Sequence, residues 1–156
     1  MAITFHSDGA KIPDLKRLQV KAWIKQVVRQ HEKKTGDIAY IFCSEKKIVE
    51  LNQQYLRHNY VTDIITFDYS EKNAISGDIF ISIDTVRENA TDHGTTFSNE
   101  LNRVMIHGIL HLCGINDRTA EEKAEMRRKE EEGMRRMRRS EDATPNRRYA
   151  ERRCVR

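Results

Sequence analysis

His107 and His111 stand four residues apart in the stretch His107-Gly-Ile-Leu-His111-Leu-Cys-Gly114-Ile-Asn-Asp117. On an α-helix, positions i and i+4 share a face, so both rings can reach one cation. Gly114 suits the left-handed conformation that ends a helix and turns the chain back, which would bring Asp117 round as a third ligand. Two imidazoles and a carboxylate with a fourth position open is the ligand count of a catalytic zinc site, whereas structural zinc is usually closed by four protein ligands. The plainer alternative makes Asp117 a cap for a helix that begins near Thr119. A peptidase of the His-Glu-x-x-His type carries its general base directly after the first histidine. Here that residue is Gly108. This argues against proteolysis by that route and leaves water activation to the cation, an outer carboxylate or the substrate's own phosphate. Cys113, two residues past His111, turns away from the shared face and reads as core packing.

The elements that must position this stretch are read from periodicity. Ile3–Phe5 reads as a first strand. Pro13-Asp14 opens a helix to about Lys34, with Leu15, Leu18, Ala22, Trp23 and Val27 at helical spacing, and Thr35-Gly36-Asp37 breaks it. Residues 38–43 are short and apolar, as in a strand covered on both faces. Ser44 caps a second helix carrying Ile48, Val49, Leu51, Asn52 and Tyr55. Residues 62–67 and 77–83 read as two further strands. A helix from about Asp84 to Asp92 is closed by Gly94, and Ser98 starts the helix that carries both histidines. Thr119-Ala-Glu-Glu122 is a capping box for a last helix through Met126, Glu130 and Met134. The expected fold is α+β: a small four-stranded mixed sheet packed with about five helices, the metal motif on a central one. Residues 1–138 are expected to form one domain, and 139–156 a basic, disordered tail.

With 156 residues, 38% of them hydrophobic and 33% charged, the chain is long enough for one real core. No apolar run approaches the roughly 18 residues of a membrane span, and no signal peptide opens the sequence. Cys43, Cys113 and Cys154 form no Cys-x-x-Cys pair; a reducing cytoplasm is the expected compartment. Residues 127–156 hold twelve Lys and Arg against six Asp and Glu, while the preceding 126 residues carry a net charge of −2. A basic extension on a balanced body suits a polyanion such as RNA, or a solvated tail that aids solubility.

Three motifs, His107–Gly114 (His-Gly-x-Leu-His-Leu-x-Gly), Thr62–Phe67 (Thr-Asp-x-x-x-Phe) and Gly77–Ile79 (Gly-Asp-Ile), occur in an order that resembles the YbeY family of bacterial rRNA maturation factors. Leu51-Asn52 and Met126-x-x-x-Glu130 fit as well, and the resemblance covers roughly residues 3–138. It implies a single-strand-specific, metal-dependent endoribonuclease acting in 16S rRNA processing, ribosome quality control and 70S maturation. It further implies one zinc ion held by three residues of the helix motif, and rRNA and ribosomal proteins as partners. His107 and His111 match the first two ligands. The family's third is a histidine in a Gly-Tyr-Asp-His ending; here Asp117 takes that place in Gly114-Ile-Asn-Asp117, a harder donor that zinc accepts.

The family's arginine after Leu-Asn-x-x-aromatic falls on Leu56, and the nearest arginine is Arg57, one residue and roughly 100° further round a helix. If the helix ends there, the planar fork of Arg57 could hold an RNA phosphate, and His58 could also face the cleft. Otherwise Arg57 is a solvated helix end. Asp63 and Asp78 at strand starts either bond backbone amides of the following turn or belong to the site. Two functions of other classes remain to be weighed: a non-catalytic ribosome assembly factor with a structural metal, and a metallopeptidase, which Gly108 disfavours.

Overall fold

Alternating apolar residues build the sheet. In the computed structural model, which describes residues 2–57 and 61–143 (139–143 as backbone only), the strands are β1 (Ile3–Asp8), β2 (Lys34–Cys43), β3 (Ile64–Asp68) and β4 (Ala74–Ser82). They lie in the order β1-β2-β4-β3. β1, β2 and β4 are parallel, and β3 pairs antiparallel with β4 as an outer strand. With helices α1 (Arg17–Gln30), α2 (Glu45–Leu51), α3 (Ile83–Asp92), α4 (Phe97–Leu112) and α5 (Ala120–Ala143), this is the expected α+β fold with a mixed four-stranded sheet.

Ile38, Tyr40 and Phe42 of β2 join residues of α1, α4 and α5 in the main core. The other sheet face receives the short α2, whose Ile48 and Leu51 meet Cys43 and Ile65. Both faces are covered, but the second only in part: Ala39 and Ile41 are half-buried. α4 occupies the centre, packed against α1, α3, α5, β3 and β4. Tyr40 ties it to the sheet by donating its hydroxyl to the Met105 carbonyl at 3.0 Å.

Several boundaries differ from the sequence expectation, each for a local reason. α1 starts at Arg17; it buries the stripe Val20, Trp23, Ile24, Val27 and Val28, and Leu18, on the opposite face, is 84% exposed. β2 already begins at Lys34, and Thr35-Gly36-Asp37 is a bulge inside the strand rather than a break. A Cβ on Gly36 would lie 2.6 Å from the Ile75 carbonyl oxygen, so the glycine serves close strand approach. Thr96, not Ser98, caps α4 and accepts from the Asn99 amide at 3.1 Å.

Ser44 caps α2 as expected, accepting from the Lys47 amide at 3.2 Å. That helix then passes into a π-helical turn, Asn52–Leu56, which ends on Arg57 at φ 56°. The capping box of α5 forms in both directions, through Thr119 Oγ1 (3.1 Å) and Glu122 Oε1 (3.3 Å). α5 continues as helix to Ala143, past position 139 where the tail was expected to start. Residues 144–156, and His58, lie outside the described residues.

Candidate metal centre

α4 buries Ile106, Gly108, Ile109, Leu110 and Leu112 against the sheet and its neighbours, which leaves His107 and His111 on one part-exposed stripe. Gly108 is held tightly. A Cβ there would meet Ile64 Cδ1, Ile79 Cδ1 and Ile79 Cγ2 at 3.1 Å each. The position that carries the base in a His-Glu-x-x-His peptidase thus faces the sheet, where even a methyl group would be crowded.

At the helix end Gly114 adopts φ 94°. Its amide donates to the His111 carbonyl (3.0 Å), and the Ile115 amide donates to that of Leu110 (3.0 Å). This paired arrangement is the Schellman motif, and it reverses the chain. The reversal brings Asp117 back over the histidines.

His107 Nε2 and His111 Nε2 are 3.0 Å apart, and Asp117 Oδ2 is 3.4 Å from each. For metal–ligand bonds near 2.0–2.1 Å, the edge of a tetrahedron is about 3.3 Å, so the three donors form one face of a zinc-sized site. His107, His111 and Asp117 are a group able to hold a metal ion, with donor atoms within 4.8 Å of one another. The cap alternative for Asp117 does not hold, because Thr119 fills that role.

The second nitrogen of the His107 ring is also engaged: Nδ1 lies 2.8 Å from Glu130 Oε1 on α5. Burial would lower the pKa of His107, but Glu130, Asp117 and Asp63 outweigh it and raise the value. Burial, and then the neighbouring His107 charge, lower that of His111. Like-charged neighbours divide in this way when only one of them can hold a proton comfortably.

The triangle opens into a cleft of about 730 Å³ along β3. Asp63, Asp68, Glu100, Asp117 and Glu130 line it with five carboxylates, and Arg103 and Arg118 with two guanidinium groups. Asp63 precedes β3; burial raises its carboxyl, Asn89 Nδ2 donates to its Oδ2 at 3.4 Å, and it lines the cleft. Asp78 is not at a strand start: it sits inside β4 opposite Phe67 and is not among the cleft residues. Arg57 is exposed and lies outside the lining set, although its neighbour Leu56 belongs to it. Cys113 is half-buried against the core, as expected, and burial pushes its thiol up to about 11.

The sequence reading missed Glu130 as a partner of His107, and Arg103 and Arg118 as cleft cations. Arg103 had a local signal, since it precedes His107 by four residues and so shares its face.

Known proteins share this architecture. The family model for Endoribonuclease YbeY matches residues 3–138. Endoribonuclease YbeY of Bacteroides thetaiotaomicron is 52% identical over 134 residues, covering 86% of this chain and 98% of that protein. The Parabacteroides distasonis protein of the same name is 54% identical over 134 residues, covering 86% and 94%. A solution structure of TM1509 from Thermotoga maritima is 29% identical and matches with a TM-score of 0.61 over 93% of this chain and 99% of that one. Taken with the histidine pair on its central helix, these matches establish that the chain belongs to the endoribonuclease YbeY family.

Proposed function

We propose that this chain is a metal-dependent endoribonuclease that cuts single-stranded RNA in 16S rRNA processing, ribosome maturation and quality control, using one zinc ion held by His107, His111 and Asp117. The observation that carries the reading is the three-donor triangle, open on its fourth side to the cleft. Three protein ligands with an open position is the catalytic arrangement, and a purely structural metal would be enclosed. This disfavours a non-catalytic assembly factor, and the packed Gly108 disfavours a peptidase.

Held by His107, His111 and Asp117, a zinc ion would supply Lewis-acid polarisation of the phosphodiester and activation of water at neutral pH. Its charge also matters for access, since five carboxylates against two arginines would otherwise repel a polyanion. Arg118 is placed inside the cleft to bind a phosphate through its planar fork. Arg57, exposed beside Leu56 at the rim, serves the strand just outside. Tyr55, 57% exposed and set edge-on to Phe67 at 5.2 Å, offers a stacking face that only an unpaired base can use.

Residues 1–138 form the catalytic domain, and the basic 139–156 extension adds sequence-independent attraction to RNA. rRNA and ribosomal proteins are the partners, and the cytoplasm is the compartment. Among the described residues no helix is long and apolar enough to cross a membrane.

The test is cleavage of a single-stranded RNA and its duplex by zinc-loaded and chelator-treated protein, with His107→Ala and His111→Ala alongside. The proposal expects cutting of the single strand alone, lost in both variants and on chelation, and restored by zinc. Cleavage at the wild-type rate in either variant would overturn it.

A further inference from the structure

We infer that Glu130 is a positioning residue for the metal centre: it fixes the His107 ring so that Nε2 faces the shared site, and Arg103 holds Glu130 in place. The inference rests on the metal reading above. α5 presents a buried stripe of Met126, Glu130, Met134 and Met137 toward the core. Spacing of four puts Glu130 between two methionines on that stripe, and it is 9% exposed. A carboxylate in such a place is strongly disfavoured unless it is paired and hydrogen-bonded.

Its pairing accounts for the position. Oε1 lies 2.8 Å from His107 Nδ1. A carboxylate oxygen accepts, so Nδ1–H donates, and a neutral ring then keeps its lone pair on Nε2. That atom is the one 3.0 Å from His111 Nε2 and 3.4 Å from Asp117 Oδ2. Oε2 lies 3.8 Å from Arg103 Nη1, one helical turn before His107 on α4, and Arg103 also pairs with Glu131. A guanidinium flanked by two glutamates of α5 fixes how α5 lies along α4. The seating is reinforced where Trp23 Nε1 donates to the Gly133 carbonyl at 2.7 Å. Arg103 is therefore a strut, although it borders the cleft. Ligand histidines commonly rely on an outer partner of this kind, and its loss typically weakens metal binding about ten- to a hundred-fold.

The test measures zinc affinity of the full chain by competition with a chromophoric chelator, for wild type, Glu130→Leu, Glu130→Gln and His111→Ala. Thermal midpoints of the metal-free proteins and ring ¹⁵N shifts of His107 are recorded in parallel. Glu130→Leu should lose about ten- to a hundred-fold in affinity and lose the Nδ1–H signature. Glu130→Gln keeps an acceptor oxygen and should recover part of both. Zinc binding by Glu130→Leu at wild-type affinity overturns the inference, as does a Gln variant no better than Leu whose affinity simply tracks its thermal midpoint. The underlying metal reading fails separately: His111→Ala would then bind zinc as well as wild type.

Discussion

Replacing Gly108 by alanine tests whether the sheet, through a single glycine, sets the position of the histidines. On an exposed helix, Gly→Ala is stabilising by about 1 kcal/mol. Here the new methyl would lie 3.1 Å from Ile64 Cδ1, Ile79 Cδ1 and Ile79 Cγ2. Two of those atoms are side-chain ends that can swing. Ile79 Cγ2 is bonded directly to Cβ, and Ile79 is fully buried. Relief therefore requires α4 to lift by a few tenths of an ångström. Overpacking of this sort costs about 1–3 kcal/mol, so against the helix gain the net is a loss of about 0–2 kcal/mol. For a chain of this size, that lowers the midpoint by up to about 8 °C at roughly 2–4 °C per kcal/mol. The lift also moves His107 and His111 relative to Asp117 and Glu130, so zinc affinity should fall as well. Thermal unfolding of the metal-free protein and chelator competition read the two effects separately. A Gly108→Ala protein more stable than wild type with unchanged zinc affinity would refute the packing argument. Gly108→Glu should unfold rather than gain peptidase activity, because its carboxylate would be driven between Ile64 and Ile79.

Four further outcomes are expected. If apparent zinc-binding energies of about 10–16 kcal/mol are shared over four ligands, each carries about 2.5–4, so Asp117→Ala should weaken zinc by roughly 10²–10³-fold, read by chelator competition; wild-type affinity would leave Asp117 out of the site. Between the lowered value of His111 and the raised value of His107, zinc must displace one proton, so affinity should fall about tenfold for each pH unit by which the pH is lowered, measured by calorimetry in buffers of different ionisation heat. The metal-free fold runs the other way at His107: its raised value contributes stability that is complete below the unfolded pKa of about 6.5 and lost as pH rises through the folded value. Arg118→Ala and Arg57→Ala should each reduce the salt slope of RNA binding by about one; an unchanged slope for Arg57→Ala would make that residue a solvated helix end.

The convergence of the candidate ligands was legible where it is local. His107 and His111 at i, i+4, the reversal at Gly114 and the return of Asp117 all lie within eleven residues, and helix geometry dictates their convergence. The capping box at Thr119 and Glu122 was readable for the same reason. What escaped was contact at a distance. Glu130 reaches His107 from 23 residues away, and only the way α5 seats on α4 decides which of its side chains faces the ring. The early start of β2 escaped likewise, because parallel pairing with β4 overrides the turn signal of Thr35-Gly36-Asp37. Leu18 lies inside α1, yet on the face opposite the buried stripe of Val20, Trp23, Ile24, Val27 and Val28, so it stays exposed. Arg57 depends on a π-helical turn, which local periodicity does not announce.

The most direct measurement is a crystal structure of the zinc-loaded protein with anomalous data at the zinc edge. The account predicts one peak about 2.0–2.2 Å from each of His107 Nε2, His111 Nε2 and Asp117 Oδ2, with its fourth side open to the cleft. A peak held elsewhere, or one from which the Asp117 carboxylate is turned away, would contradict it.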